Sequence, residues 1–496
     1  MTKFLRCVIA FIVAITFHQT VASQSLSINT TGATADPSAI LDVTSTLKGV
    51  LVPRMDKTAK NLIGTPANGL LVYQTGPDSI GFHYYNLPNT RWIYINTNGF
   101  ATDTTAWKLT GNSNVADTSF LGSINNKAVK FRVNNLPSGI IDSSTGDAAL
   151  GYRALATTHS TPGFYANNAL GFEAGRNLNS GYANIAVGRH ALASTGVSTQ
   201  NIAIGDSAMA QAVSAHTNMA IGYQALKNYN GGGYLTYNTA IGYSSQTAAS
   251  STVGGSNSYY NTSIGGFAMA DNRGGFDNTA VGVSALRYND SSASNTAIGI
   301  NAMAYHKRSG FNSNVAVGSF ALENDSIGFW NTAIGAEAMQ NAKNGGVNTA
   351  IGFRSMRAHK VGGENTAVGV GSLEADSSGT QNTAVGRSAM FLNKAGTRNT
   401  VVGAEAGVFN NSSQTNPLQG SENTYVGFNS GRTANVGRKN AVLGAYALEG
   451  SGTYGDQPTL DAYSRNSVVG DSAALRTFGN DNVAMGFKAL NANIGG

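Results

Sequence analysis

Cysteine, proline and charged residues are all scarce in this sequence. There is one cysteine, Cys7, in 496 residues, so neither an intrachain disulfide nor a cysteine-based metal site can form. Charged residues make up 12%, about half the share in an ordinary soluble domain. The net charge of +6 is spread without a dense basic cluster, which argues against a nucleic-acid partner. With 61 glycines, 9 prolines and 41% hydrophobic residues, the composition is too apolar for disorder and is typical of a chain packed by repetition.

Residues 1–23 have the three-part pattern of a secretory signal peptide. Lys3 and Arg6 form its positive region, residues 7–17 its apolar region, and residues 21–23 a small-residue cleavage site. The apolar run of 11 residues is shorter than the ~20 residues that cross a bilayer, so an N-terminal membrane anchor is the weaker alternative. We therefore expect a secreted, extracellular or cell-surface protein.

One short phrase recurs nineteen times between residues 147 and 496. It reads Asn-x-Ala-aliphatic-Gly, and its glycine, called the phrase glycine below, is followed three residues later by Ala or Ser. Neighbouring phrase glycines lie 17 residues apart in eleven of eighteen intervals, and the other intervals range from 16 to 26. A fixed period of this size predicts a solenoid with insertions in its loops. Clear copies of the phrase run from Asn238 to Gly242, Asn278 to Gly282, Asn331 to Gly335 and Asn382 to Gly386.

The chemistry of the phrase indicates which kind of solenoid this is. The phrase has the length of a strand and is rich in β-branched residues, and its glycine permits a turn or a close backbone contact. Seventeen residues hold two short strands and two turns, which is one coil of a β-solenoid, whereas a helical-hairpin repeat needs about 33. The segment after the glycine, such as residues 223–226, is predicted to be a second short strand rather than a helical turn. Nineteen coils stacked at about 4.8 Å make a rod of roughly 90 Å.

Each coil of such a solenoid encloses only a few side chains, among them the small residue three positions after the glycine. Because so slender a coil buries little apolar area, we expect neighbouring coils and neighbouring chains to supply the rest. Stacked Asn and Thr side chains are expected to bond along the ladder. The Thr column is often interrupted, which favours an internal ladder over a flat ice-binding surface.

The phrase Asn-Thr-Ala-Ile-Gly-x-x-Ala-Leu resembles the head repeat of trimeric autotransporter adhesins, the YadA-like heads. The resemblance covers residues 147–496 and implies a left-handed parallel β-roll with three chains side by side, a homotrimer. The period of 17 is longer than is usual in that family, so we expect a longer outer loop. The preceding region resembles the N-terminal part of Bacteroidetes-type tail-fibre-like surface proteins, in residues 37–43, 48–54 and 68–73. Such proteins often carry a C-terminal chaperone, sometimes self-cleaving, and we expect a missing module or another subunit to cover the last coil.

The chain is predicted to be all-β throughout. Strand-like runs separated by Pro and Gly turns lie before the repeats, at residues 70–73, 82–85 and 92–95. We therefore predict four parts: a signal peptide at 1–23, a small β-rich N-terminal domain at 24–98, a linker with a second β segment at 99–146, and the β-roll at 147–496.

No sequence motif indicates an enzyme. The seven histidines are scattered, and His306 and His359 are expected, like most of the others, in solvent-facing loops. Asp325 and Asp376, each two residues after a glutamate, are expected on the solvated surface. A dinucleotide-like glycine spacing at residues 450–455 lies in a long insertion with no βαβ unit around it. We therefore predict no catalytic residue, no cofactor and no metal site.

Five insertions interrupt the period and are the best candidates for recognition, since loops on a rigid scaffold carry most binding sites. They span residues 227–237, 247–260, 304–313, 408–422 and 449–465. Tyrosine, asparagine and glycine together make adaptable binding loops. The candidate binding tyrosines are Tyr229, Tyr234, Tyr237, Tyr259, Tyr260, Tyr305, Tyr454 and Tyr463. The alternative interpretation is that these are tolerated insertions whose tyrosines stack for packing.

The preferred hypothesis is a secreted homotrimeric adhesin that binds host cells, matrix or polysaccharide through these loops, with avidity from three copies. The second hypothesis is a structural spacer or stalk that carries a missing C-terminal chaperone or anchor module. A third is a full-length product that cleaves itself through such a module. The signal peptide argues against a phage tail fibre, which is assembled in the cytoplasm.

Overall fold

The computed structural model describes two compact units, unit 1 (Met1–Leu121) and unit 2 (Gly122–Gly496). The described residues are 25–95, 120–157, 165–194, 197–230, 232, 235–248, 258–307, 310–409, 420–433, 437–449, 464–475 and 479–491. The signal peptide and the candidate residues Tyr234, Tyr454 and Tyr463 lie outside them. Within these ranges no helix has the length and apolar character needed to cross a membrane.

Unit 1 is a small β structure. A parallel pair of strands, β1 and β2, precedes a sheet of four strands in the order β3-β4-β5-β6. In that sheet β3 is parallel to β4, and the other pairs are antiparallel. The elements are β1 (Leu26–Asn29), β2 (Leu41–Thr44), β3 (Arg54–Met55), α1 (Lys57–Asn61), β4 (Leu71–Gln74), β5 (Gly81–Asn86), a 3₁₀ helix (Leu87–Asn89) and β6 (Arg91–Tyr94). The three strand-like runs predicted before the repeats are thus confirmed as β4, β5 and β6.

Unit 2 is a β-solenoid, as predicted. It begins with an antiparallel hairpin, β7 (Val129–Val133) and β8 (Leu136–Asp142), which pairs antiparallel with the first phrase strand, β9 (Asp147–Leu150). From β9 onward every phrase strand pairs parallel with the next in one continuous ladder, alanine opposite alanine in most coils. The hairpin covers the edge of β9, which an isolated ladder would leave unpaired.

The remaining strands of unit 2 are short. Those of the ladder are β10 (Asn168–Leu170), β11 (Ile185–Val187), β12 (Ile202–Ile204), β13 (Met219–Ile221), β14 (Thr239–Ile241), β15 (Thr262–Ile264), β16 (Thr279–Val281), β18 (Thr296–Ile298), β20 (Val315–Val317), β21 (Thr332–Ile334), β22 (Thr349–Ile351), β23 (Thr366–Val368), β24 (Thr383–Val385), β25 (Thr400–Val402), β26 (Thr424–Val426), β27 (Ala441–Leu443), β28 (Ser467–Val469) and β29 (Val483–Met485). Outside the ladder, β17 (Ser292–Ala293) pairs with β19 (Gly310–Phe311). The handedness of the coil stays a prediction.

The phrase glycine forms the corner where the chain leaves each strand. Gly335 has φ of +134°, and a Cβ atom there would lie 2.5 Å from the carbonyl oxygen of Gly352 in the next coil. Only glycine tolerates both the dihedral angle and the close approach. The same arrangement recurs at Gly242, Gly282 and Gly386, which explains why the glycine is invariant within the repeat.

The segment after the glycine is not the second strand that we predicted. In the coil that follows Gly222, residues 223–228 are turns, with φ of +56° at Gln224 and +48° at Leu226. A residue in the left-handed region bends the chain and interrupts an extended strand. The segment still bonds to both neighbouring coils, since the Gln224 N–H donates to Asp206 O and the Leu226 N–H to Ser245 O, each at 3.0 Å.

Small side chains fill the core of the solenoid. The middle residue of each ladder strand points inward and is in most coils an alanine, such as Ala333 with 0% exposure. A second inward column lies three and four residues after the glycine, as at Ala338 and Met339. The first and third strand residues, such as Thr332 and Ile334, point the other way. The prediction of an internal Thr ladder is therefore wrong, because a strand alternates its side chains between two faces and alanine takes the inner one.

Asparagine, by contrast, does form a buried ladder. Oδ1 of Asn331 accepts the backbone N–H and the Nδ2 hydrogen of Asn348 at 3.0 and 3.2 Å, and its own Nδ2 donates to Gly345 O at 2.8 Å. The first phrase has Asp147, whose Oδ1 accepts the N–H of Asn167 at 2.8 Å. A carboxylate, which only accepts hydrogen bonds, is sufficient at this position, because no earlier phrase supplies an oxygen to which an Nδ2 group could donate.

Replacing Asn331 with alanine should destabilise unit 2 by about 2–5 kcal/mol, since it removes three bonds and leaves a buried N–H and a buried carbonyl without partners. Thermal unfolding followed by circular dichroism measures the effect. Asn344→Ala is the matched control, because Asn344 is exposed in the same coil and uses only its backbone N–H, bonded to Lys360 O. Equal loss of stability in both variants would contradict the role of the ladder.

Candidate functional site: an aromatic strip on the solenoid

Five aromatic rings form a continuous strip on unit 2. Tyr237 stacks on Tyr260 with ring centroids 5.5 Å apart, and Tyr260 meets Tyr259 edge-on at 5.1 Å. Tyr259 stacks on Phe276 at 4.9 Å, and Phe276 meets Phe311 edge-on at 5.3 Å. These five residues are called the aromatic strip below. Three of them, Tyr237, Tyr259 and Tyr260, are among the tyrosines singled out from the sequence.

The coil stacking places these rings in register. Tyr237 and Tyr260 each precede a phrase asparagine, and Tyr259 and Phe276 each lie two residues before one. The backbone here is bonded from coil to coil, with the Tyr260 N–H donating to Thr236 O at 2.8 Å and the Asp277 N–H to Tyr259 O at 3.1 Å. The rings therefore sit on a fixed ladder.

The strip is open to solvent. Tyr237, Tyr260 and Phe311 are 49%, 53% and 70% exposed, although apolar rings usually bury their faces. Rigid aromatic side chains supply contact area at low conformational entropy cost, and tyrosine adds a hydroxyl for hydrogen bonding. A row of such rings suits a ligand with flat apolar faces and polar edges, such as the rings of a polysaccharide.

Sequence reasoning missed Phe276 and Phe311. Phe276 lies in a regular 17-residue coil, outside the insertions on which the search concentrated. Alignment of the repeats would have shown that it occupies the same phrase position as Tyr259. Phe311 lies within the insertion at 304–313, but only tyrosines were considered there.

Two candidate tyrosines lie apart from the strip. Tyr229 is fully buried, and its hydroxyl donates to Ser258 O at 2.7 Å. Burial raises the pKa of this hydroxyl well above its usual range. The prediction that Tyr229 is a binding-loop residue is wrong, because its side chain lies in the core. Tyr305 is exposed and stacks on the half-buried Tyr288 at 5.1 Å, as a separate pair.

Two histidine–aspartate pairs are enclosed in the core, contrary to the expected solvent-facing loops and solvated surface. Nδ1 of His306 lies 3.3 Å from Oδ2 of Asp325, and Nδ1 of His359 lies 2.8 Å from Oδ2 of Asp376, all with 0% exposed side chains. Burial raises the pKa of Asp376, and the hydrogen bond with His359 opposes that shift.

The two aspartates have a structural task that explains their position. Oδ1 of Asp325 accepts the N–H of Gly328 at 2.8 Å, and Oδ1 of Asp376 accepts that of Gly379 at 2.9 Å, so each carboxylate fixes a turn. A substrate has no access to a pair that is fully enclosed. In the described part of the chain no group of three or more His, Cys, Asp or Glu side chains could hold a metal ion.

A protein-family comparison matches unit 1. The family of the phage tail like trimerisation region matches residues 27–111. No curated protein and no solved structure matches the chain. The match and the β-solenoid together fit a fibrous, tail-fibre-like trimeric protein.

Proposed function

We propose that this protein is a secreted or cell-surface homotrimeric adhesin whose solenoid resembles YadA-like heads and binds glycan through the aromatic strip. The observation that carries this proposal is the strip itself, with five rings in contact and held on a bonded ladder. Three strips per trimer would raise the avidity of weak single contacts.

Trimer formation is supported by apolar surface on both units. Ile40, Leu47, Leu51 and Leu62 of unit 1 are at least 77% exposed, within the region that matches the trimerisation family. Exposed apolar area of this kind marks an interaction surface.

The ladder of unit 2 offers a second apolar surface. Its outer face is defined by the first and third residues of each ladder strand, mostly threonine and an aliphatic residue. Ile298, Ile334 and Ile351 are 38–40% exposed there. At the start of the ladder, Leu150 and Leu170 line an apolar groove with Phe131 of the hairpin. We infer that the three chains pack against one another through this face.

The adhesin proposal is tested with the double variant Tyr237→Ala/Tyr260→Ala. We expect it to lose roughly five- to 150-fold in affinity for the surface that the wild type binds, because exposed stacked rings contribute roughly 0.5–1.5 kcal/mol each. Binding is measured on a panel of immobilised polysaccharides and matrix proteins. The matched control is Tyr288→Ala/Tyr305→Ala, which removes a stacked pair that is not part of the strip.

The match to a tail-like trimerisation region supports one alternative, a spacer or stalk that binds nothing itself. In that case the wild type would adhere to no surface of the panel, or the strip variant would adhere as the wild type does. Either result would overturn the adhesin proposal and leave the trimeric fibre intact.

A further inference from the structure

Four lysines and two serines form a row along six consecutive coils of the solenoid. The eighth residue after each phrase glycine is, in order, Lys307, Ser326, Lys343, Lys360, Ser377 and Lys394. These six residues are called the lysine row below. The row begins in the coil that holds Phe311, the last in sequence of the five strip residues, and continues along the ladder.

The backbone fixes the spacing of the row. The N–H of Lys307 donates to Ser326 O at 2.9 Å, that of Ser326 to Lys343 O at 3.3 Å and that of Lys343 to Lys360 O at 3.1 Å. The same bonds continue from Lys360 to Ser377 and on to Lys394. Adjacent residues of the row are therefore one coil apart, about 4.8 Å.

The ammonium groups of the row have no acidic partner in the described structure. Several arginines of unit 2 are paired, such as Arg354 with Glu337 at 2.9 Å, but no described ion pair includes a lysine of the row. Asp325 and Asp376 precede the two serines of the row, yet both carboxylates are buried beneath it. The result is a line of positive charge without neutralisation.

Polar groups border the charges. Asn324, Ser326, Asn341, Lys343 and Lys360 line a shallow groove on this surface. Asn324 Nδ2 lies 3.4 Å from Asn341 Oδ1, so the amides follow the same coil-to-coil order as the lysines. Amide and hydroxyl groups beside cations are suited to hydroxyl-rich anions.

We propose that the lysine row binds a linear acidic polysaccharide that lies along the solenoid, with its carboxylates paired to the lysines. This rests on the proposed adhesin function and adds the charge of the ligand. Neighbouring lysines of the row are one or two coils apart, so every acidic sugar or every second one would lie opposite a cation.

A nucleic acid is the other linear polyanion, and the surroundings of the row disfavour it. Binding of single strands relies on aromatic side chains on which bases stack. The column two residues before the row starts with Tyr305 but then carries Asn324, Asn341, Ala358 and Ala375 over four coils, so it holds no continuous stack of rings.

The test compares the mature wild type with Lys343→Gln/Lys360→Gln by biolayer interferometry on immobilised polygalacturonate. We expect the Kd of the variant to rise roughly tenfold at low salt, and the wild type to lose affinity between about 20 and 300 mM NaCl as screening increases. Lys127→Gln/Lys130→Gln is the matched control, since both lysines are exposed in the hairpin region and it removes the same charge.

Three outcomes overturn the lysine-row proposal: equal Kd values for the variant and the control, wild-type affinity for neutral dextran as high as for polygalacturonate, or equal competition by a single-stranded oligonucleotide. The two proposals fail separately. If the strip variant loses adhesion while the lysine variant binds normally, the adhesin function stands and the acidic ligand does not. If neither variant changes binding to any surface, the adhesin function itself falls.

Discussion

Alanine in place of Gly335 is expected to destabilise the solenoid by more than about 3 kcal/mol. A side chain at φ +134° costs about 1–3 kcal/mol in backbone strain alone. The added Cβ would also lie 2.5 Å from a backbone oxygen of the next coil, which has no room to move without breaking the ladder on either side. Thermal unfolding of the purified protein, followed by circular dichroism, measures the loss as a lower Tm.

Gly266→Ala is the control for this prediction. Gly266 directly follows a phrase glycine, but a Cβ there meets nothing within 4 Å and its φ lies outside the left-handed region. At such a site alanine is neutral or slightly stabilising, because it restricts the unfolded chain. A similar Tm for Gly335→Ala and Gly266→Ala would contradict the packing of the coils described above.

The second large effect concerns assembly. Ile334→Glu/Ile351→Glu should convert the trimer to single chains, because it places two carboxylates per chain on the outer face of neighbouring coils. Burial of an unpaired carboxylate costs several kcal/mol, and three chains would bring six of them together. Light scattering coupled to size exclusion measures the mass, which should fall from three chains to one.

Val347→Glu/Val361→Glu is the matched control for assembly. Both valines are exposed, at 45% and 42%, but neither belongs to a ladder strand. We expect this control to keep the mass of the wild type. A trimer that persists in the Ile334→Glu/Ile351→Glu variant would show that assembly does not require the outer face, and would leave unit 1 as the surface to examine.

Much of unit 2 could be predicted because its information is local and repeated. The period places a strand and a corner in every coil, and the residue before each glycine identifies the strand. The face that each residue takes was harder to predict. Thr332 looked like part of an internal ladder, but its neighbour Ala333 occupies the interior, because the stacked coils leave room for little more than a methyl group.

Compensating changes between coils could not be predicted from the pattern of a single phrase. Tyr425 stands where most coils have alanine and is fully buried. Its ring fits because Gly407 and Gly431 replace the larger residue found four positions after the glycine in most coils, and a Cβ on them would lie 3.1 and 2.6 Å from that ring. Such exchanges of volume depend on contacts between residues distant in sequence.

The aromatic strip was only partly predictable, because the composition of an insertion does not show which of its side chains are buried. Tyr237, Tyr259 and Tyr260 stood out because they lie in insertions rich in tyrosine, asparagine and glycine. Tyr229 lies in an insertion of the same kind, but its side chain is in the core. The buried Asp325 and Asp376 were misassigned because a charge in a loop is ordinarily solvated. In this protein the carboxylates are enclosed, since the turns that they fix close over them.

The asparagine ladder also determines how this molecule can change in length over evolutionary time. Most phrase asparagines present the same donors to one neighbour and the same acceptor to the other, so a coil placed between two others finds hydrogen-bond partners on both sides. Duplication of seventeen codons would therefore extend the solenoid by one step of about 4.8 Å, and deletion would shorten it by as much. The length of the solenoid can therefore change by whole coils, without any compensating substitution elsewhere in the gene.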